Sequence, residues 1–258
     1  MELMHQMTPH LKRLRLSGVL ETLESRNQQA IDGRWTYVEF LARLVEDEVE
    51  RRAQKQLGLR IRRAGVSTAK TLETFNFDFN PTINRQQVLN LASCTYIRQK
   101  RNALICGPTG VGKTHLAQAL AHEACRRGYT VLFVNTYRML QHINGGRADD
   151  TLERRLQTYL RPDLLVLDDF GLKPLRAPAP EDLYDVINGR YEQGSILLTS
   201  NRALDEWAGL FGDPLLASAG LDRLTHRADV VLITGASYRA QRPARPEQEA
   251  PIDLSDPS

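Results

Sequence analysis

Residues 107–114 read GPTGVGKT, which fits G-x-x-x-x-G-K-[ST] through Gly107, Gly112, Lys113 and Thr114. The chemistry on offer is phosphate binding. Glycines let backbone N–H groups wrap polyphosphate oxygens, and the N-terminus of a following helix adds the positive end of its dipole. An apolar stretch, ALIC, precedes the loop and a helical pattern, KTHLAQALAHEACRR, follows it, which is the context this chemistry needs. The expected nucleotide contacts are Gly107, Pro108, Thr109, Gly110, Val111, Gly112, Lys113, Thr114 and His115. Lys113 is expected to reach the β- and γ-phosphates of ATP, and Thr114 to place its hydroxyl on Mg²⁺.

A second element, LLVLDDF, follows, with Asp168 standing 55 residues after Lys113. A buried strand ending in Asp168 suits Mg²⁺ held through a water, and Asp169 is placed to orient an attacking water. Paired aspartates also start turns and cap helices. A third element, ILLTSN at 196–201, is an apolar strand with a polar tip. If it lies between the loop strand and the Asp168 strand, Asn201 stands beside the γ-phosphate, where it holds the water or senses hydrolysis. Otherwise Ser200 and Asn201 only begin a turn.

These groups need a frame. From Asn102 onward short apolar runs alternate with helical patterns, so the spacing predicts an α/β fold with a largely parallel, five-stranded sheet between helices. The expected strands are 103–106, 130–134, 164–167, 195–199 and 230–234, and the expected helices fall near 113–127, 136–143, 150–160, 181–192 and 214–223. Residues 1–63 read as a helical module. Thr8-Pro9 has the form of a helix start. Leu16, Val19, Leu20 and Leu23 fall on one helical face. Thr36 and Glu39 have capping-box spacing, and Trp35 and Phe40 the spacing of a hydrophobic staple. Tyr37, Phe40, Leu41, Leu44 and Val45 are then expected to line a packed face, with Trp35, Tyr37 and Phe40 serving the core rather than stacking on bases. The division expected is a helical domain at 1–70, an ATPase domain at 71–239 and a proline-rich acidic tail at 240–258, disordered by composition.

With 258 residues, 41% apolar and 25% charged, the composition is that of a globular chain rather than a disordered one. No apolar run approaches the ~18 residues of a membrane span, and the first residues lack the apolar core of a signal peptide. Cys94, Cys106 and Cys125 are odd in number and without CxxC spacing, which fits a reducing cytoplasm and no zinc knuckle. The net charge of +3 decides nothing, but residues 51–63, RRAQKQLGLRIRR, carry six basic side chains and no acid. Arg51, Arg52, Lys55, Arg60, Arg62 and Arg63 are therefore candidate contacts to DNA phosphates, although a basic run also serves as a solvated face.

The order of the elements, loop strand, strand at 130–134, Asp-Asp strand and polar-tipped strand, resembles that of the AAA+ ATPases. Five segments narrow the likeness: AGVSTAKTLETFNFDF (64–79), GPTGVGKTHLAQALAHEA (107–124), LLVLDDFG (164–171), TSN (199–201) and LDRLTHRADVVLITGASYR (221–239). Together with the helical start they resemble the IstB-like ATPases, helpers of insertion-sequence transposition related to the DnaC helicase loader and, more distantly, to DnaA. The resemblance covers about residues 5–239. It implies an AAA+ fold, slow DNA-stimulated ATP hydrolysis with Mg²⁺, and self-assembly into a ring or helix. It further implies sequence-independent binding of double-stranded DNA by the N-terminal region, a partner transposase, and a bacterial cytoplasmic protein that joins the nucleoid on DNA. A helicase loader is the alternative. A small-molecule kinase lacks any acceptor-site motif, and a non-hydrolysing nucleotide switch is left open by Asp169, which stands where most AAA+ proteins have Glu.

Arg223, in LDRL, matches the position of the arginine that reaches the neighbouring subunit's γ-phosphate in initiator-type AAA+ proteins. Arg227 is the second candidate, and an ion pair with Asp222 or Asp229 is the plainer role for Arg223. Only 57 residues follow Asn201, so a full helical lid is not expected, and Arg239 is not assigned as a lid sensor.

Overall fold

A computed structural model describes residues 2–235, 237 and 238. The 240–258 tail expected from the sequence lies outside them. Three helices lead: α1 (Glu2–Arg13), α2 (Ser17–Gly33) and α3 (Tyr37–Ala64). Two short ones follow, α4 (Arg85–Ala92) and α5 (Thr95–Arg98). Then strands and helices alternate: β1 (Ala103–Cys106), α6 (Lys113–Arg126), β2 (Val131–Asn135), α7 (Thr136–Gly145), α8 (Leu152–Leu160), β3 (Leu164–Phe170), α9 (Ala179–Arg190), β4 (Ser195–Ser200), α10 (Pro214–Thr225) and β5 (Asp229–Leu232). All ladders are parallel and the order is β2-β3-β4-β1-β5, so β4 does lie between β1 and β3. Between polar ends the strands are mostly apolar, because helices cover both faces of the sheet. One core joins Ile105, Leu116, Leu120 and Val166; the other joins Leu104, Leu165, Leu198 and Trp207.

The helical module departs from the sequence expectation in two places. Helix α1 runs from Glu2 straight through Pro9, so Thr8-Pro9 is not its start. The backbone bond that Pro9 forfeits is the one to His5, on an exposed turn. Second, Thr36 and Glu39 form the expected capping box, but the face that follows is rotated. Tyr37 is 94% exposed, Leu41 61% and Val45 53%, whereas Leu44 is buried and Trp35 and Phe40 are half-buried. The seam with α2 uses Phe40, Leu44, Asp47 and Glu48 instead. The Glu48 carboxylate, buried, accepts from the Gly18 amide (2.7 Å) at the start of α2 and from Arg52 (2.6 Å). Asp47 takes Arg26 (2.7 Å) and Thr22 (2.7 Å). Orphan amides at a helix start reward a carboxylate there, which an apolar pattern does not register.

Helix α3 is continuous over 28 residues, and its last turns join the core of the sheet: Ile61 and Ala64 are buried among Val131, Ala121 and Leu120, with Leu57 against them. Gly65 stops the helix in the left-handed conformation (φ 70°).

Candidate ATP site

The phosphate-binding loop leaves β1 at Gly107 and enters α6 at Lys113. Gly112 stands at φ 97°, a conformation that side chains resist, and Gly107 has no room for one: a Cβ there would lie 2.1 Å from the Ile233 carbonyl oxygen. The Lys113 ammonium donates to the carbonyls of Gly107 (2.7 Å) and Pro108 (2.8 Å), so it is folded along the loop. On the first turn of α6 the Thr114 hydroxyl donates to the Asp168 carboxylate at 3.0 Å.

Asp168 is 6% exposed at the end of β3. Burial pushes its carboxyl above the ordinary range, helped by the charge of Asp169, while hydrogen bonds from Thr199, Thr114 and the Asp169 amide pull the other way. A buried carboxylate beside a threonine hydroxyl is a hard oxygen set, the kind that Mg²⁺ takes alongside phosphate oxygens. Asp169 faces away from the ladder. Between Leu167 and Phe170 strand β3 advances three residues while β4 advances two, and Asp169 sits in this bulge at φ 57°. Its amide donates to Thr199 Oγ1 (3.1 Å), and its carboxylate is exposed and accepts from the Asn135 side-chain amide (3.1 Å).

Asn201 follows the tip of β4. It lines the same cavity, of about 730 Å³, as Thr109, Gly110, Val111, Gly112, Lys113, Thr114, His115, Asp168 and Asp169. The other wall comes from the segment 70–83, through Lys70, Thr74, Phe75, Asn76, Phe79, Asn80 and Ile83, with Tyr238 closing one side. His115 is packed edge-on against Phe75 (5.2 Å), and burial lowers its pKa. Tyr238 is packed edge-on against Phe79 (4.6 Å), and its amide donates to the Gly110 carbonyl (3.0 Å). The Asn80 side chain holds the Thr234 carbonyl (2.6 Å), so the chain leaving β5 is tied to the 70–83 segment.

The sequence expectation missed several of these residues. Asn135 had a local signal, a polar residue between a strand and a helix, and it does cap α7 by accepting from Tyr137 (3.1 Å) and Arg138 (3.4 Å). Thr199 was visible only as part of a polar strand tip. The wall at 70–83 and Tyr238 had no chemical signature.

The family comparison places this arrangement. The profile of the IstB-like ATP-binding proteins matches residues 9–245. The chain belongs to that family. Among its IstB-like relatives, a Mycobacterium tuberculosis insertion-sequence protein named for ATP binding is 41% identical over 91% of this chain and 94% of its own length. A counterpart from insertion sequence IS21 of Pseudomonas aeruginosa is 37% identical over 92% of this chain and 89% of its own. Among solved structures, the replication initiator DnaA bound to AMPPCP and single-stranded DNA aligns at TM-score 0.55 and 25% identity over 66% of this chain. This chain spans about half that initiator's length (51%). The DnaC helicase loader aligns at TM-score 0.56 and 21% identity over 64% of this chain and 97% of its own, which shows a shared fold. The IstB-like chain therefore has the AAA+ type of P-loop fold.

The remaining candidates lie away from the cavity. Arg223, near the end of α10, is at the opposite end of the sheet. Asn102, just before β1, donates its side-chain amide to the Leu224 carbonyl (2.9 Å), whereas the phosphate-binding loop leaves the far end of β1. The four residues of β1 span roughly 13 Å, more than an arginine side chain covers. Arg223 makes no ion pair among the described residues, and Asp229 is taken by Arg101 (3.1 Å). Arg227 is exposed, at φ 53°. Along α3, Arg51 pairs with Glu21 (3.0 Å) and Arg52 with Glu48, and Lys55, Arg62 and Arg63 are exposed. Arg60 is half-buried and donates to the Cys125 carbonyl (3.4 Å). The thiols of Cys94, Cys106 and Cys125 are free and buried, and burial pushes each up to about 11. Among the described residues no helix is long and apolar enough to cross a membrane.

Proposed function

We propose that this protein is a Mg²⁺-dependent ATPase of insertion-sequence transposition. It assembles on double-stranded target DNA, selects or remodels it, and recruits a partner transposase. The observation that carries the ATPase reading is one cavity bounded by the GPTGVGKT loop, Asp168, Asp169 and Asn201. Lys113 binds the phosphates, and the loop amides orient them. Thr114 and Asp168 would hold Mg²⁺, which when bound supplies charge compensation on the phosphate oxygens. Asp169 accepts a hydrogen bond from the attacking water, and Asn201 fixes that water. The aromatic wall of Phe75, Phe79 and Tyr238 offers an apolar surface to a base. Arg223, which stands beyond reach of its own loop, acts on ATP held by a neighbouring copy in a ring or helix. The exposed basic side chains of α3 contact the DNA backbone.

The transposition role is supported by the insertion-sequence relatives, and the nucleic-acid role by the initiator whose structure contains AMPPCP and single-stranded DNA. The test measures ATP turnover with and without duplex DNA, and retention of the transposase encoded beside this gene. DNA-stimulated turnover with transposase capture is expected. Absence of turnover in both conditions removes the ATPase reading. Capture of a replicative helicase in place of the transposase makes the protein a loader.

A further inference from the structure

Arg223 is held by ring faces rather than by a carboxylate. Its guanidinium carbon lies 5.6 Å from the centre of the Tyr184 ring and 6.0 Å from that of Tyr191. Tyr184 stands midway along α9, the helix packed beside α10, and Tyr191 is the residue that caps the C-terminal end of α9. One N–H of the guanidinium donates to the Ala219 carbonyl (2.9 Å), one turn back on its own helix. The Tyr191 hydroxyl is in turn hydrogen-bonded to His226 Nδ1 (3.1 Å). The arginine opens on a hollow of about 190 Å³ that Lys100, Arg101, Tyr191, Glu192 and Arg227 also line.

The two ways of holding a guanidinium differ in what they leave. A carboxylate takes the N–H edge in a bidentate pair and cancels the charge. Aromatic rings take the flat face through their quadrupole, and the N–H edge stays available to an anion. Tyr184 and Tyr191 thus restrict a long side chain without occupying the atoms that bind phosphate. Holding it also removes part of the rotamer entropy that a loose arginine loses on binding, which is the advantage of preorganisation.

We propose that Tyr184 and Tyr191 are positioning residues for Arg223, presenting its N–H edge to the γ-phosphate of ATP bound to a second copy of this chain. The proposal rests on the reading of Arg223 as a residue that acts in trans. It adds that the aromatic slot belongs to the subunit that donates the arginine, not to the one that holds the ATP.

Mixed assemblies test both parts. Asp169→Asn subunits lack a working site but supply Arg223; Arg223→Ala subunits have a working site but supply no arginine. Mixed with ATP and duplex DNA, the two are expected to recover turnover that neither has alone. Adding Tyr184→Leu to the Asp169→Asn subunit should then cut the recovered kcat about 5- to 30-fold. The KM for ATP should hold, because the ATP-holding subunit is untouched. Tyr184→Phe keeps the ring and should restore the recovery, and Tyr191→Leu should reproduce the loss independently. By NMR, the Arg223 δ-protons of the free protein should show an upfield ring-current shift that Tyr184→Phe keeps and Tyr184→Leu reduces. Equal recovery with and without Tyr184→Leu and Tyr191→Leu overturns the slot and leaves the arginine reading intact. A loss with Tyr184→Phe as large as with Tyr184→Leu also overturns it. No recovery in the parental mixture overturns the arginine reading and the slot together.

Discussion

The Thr114 hydroxyl donates to the Asp168 carboxylate across 3.0 Å, although 54 residues separate them in the chain. This bond joins the first turn of α6 to the end of β3. It brings together the two oxygens that would hold the proposed Mg²⁺. The same carboxylate is buried and carries a raised pKa, so its ionised form destabilises the nucleotide-free protein. Asp168→Asn should therefore raise the thermal midpoint at pH 7, by about 2–4 °C for each kcal/mol relieved, while abolishing Mg²⁺-dependent hydrolysis. Calorimetry and a phosphate-release assay on the same preparation check the pair of outcomes. A lower midpoint would show that the carboxylate's bonds to Thr114 and Thr199 outweigh its burial.

Asn135 both caps α7 and holds Asp169. Asn135→Ala should cost about 1 kcal/mol for the lost cap and slow turnover as well. Asn135→Asp keeps an acceptor for the cap but turns repulsion on Asp169, so it should slow turnover with little loss of stability. Asp169→Asn should spare ATP binding and slow hydrolysis about 10²–10⁴-fold. Steady-state kcat beside thermal midpoints separates the two effects. Native turnover in Asp169→Asn would remove the water-orienting role.

Lys113 lies along its own loop, bonded to the carbonyls of Gly107 and Pro108. Binding phosphate requires it to exchange those bonds for oxygens of the nucleotide. Lys113→Ala should abolish hydrolysis and weaken ATP binding, because alanine leaves no charge on the phosphates. Titration with a fluorescent ATP analogue measures the loss. An unchanged dissociation constant would place the main binding energy on the loop amides instead.

On a helix of 3.6 residues per turn, Arg51, Lys55 and Arg62 fall within about 40° of one another and Arg60 about 140–180° away from them. Arg60 accordingly points at α6. Replacing Lys55, Arg62 and Arg63 by Gln should weaken duplex DNA binding alike for all sequences. Each lost phosphate contact should reduce the slope of log K against log salt by about 0.9. Arg60→Gln should leave that slope in place. A salt titration in fluorescence anisotropy decides, and an unchanged slope in the triple variant would return the run to a solvated face.

Among the described residues Glu39, Asp47, Glu48, Glu73 and Asp149 are held below the ordinary carboxylate range, and Asp47 and Glu73 are held furthest below it. Hydrogen bonds from Arg26 and Thr22 hold the Asp47 carboxyl down to about 2, and Arg126 and Thr71 hold Glu73 down to about 2. Both folded values lie below the ordinary 3.8 and 4.5. Their stabilisation is thus complete above about pH 5 and is lost as the pH falls toward 2. Thermal midpoints should fall from pH 5 to 2.5, and the fall should be shallower in Asp47→Asn, which starts from a lower midpoint at pH 7. Parallel curves for the two proteins would show that Asp47 carries none of the acid response.

The sequence by itself determined what is local. GPTGVGKT dictates a phosphate-binding loop because its glycines and lysine act within eight residues, and LLVLDDF dictates a buried strand ending in acids. The alternation of apolar runs with helical patterns likewise fixed the parallel sheet, and Thr36 with Glu39 fixed the start of α3. Tertiary structure decided what depends on which strands are neighbours. Asn201 reaches the cavity because β4 pairs with both β1 and β3. Asn135 reaches Asp169 because β2 pairs with β3 and the bulge turns Asp169 outward. Arg223 is kept from its own phosphate-binding loop by the length of β1, a separation that spacing in sequence does not encode. The seam of the helical module went to Asp47 and Glu48 over Tyr37, Leu41 and Val45, because amides at a helix start and an opposed arginine stabilise a carboxylate that hydrophobic periodicity counts as surface.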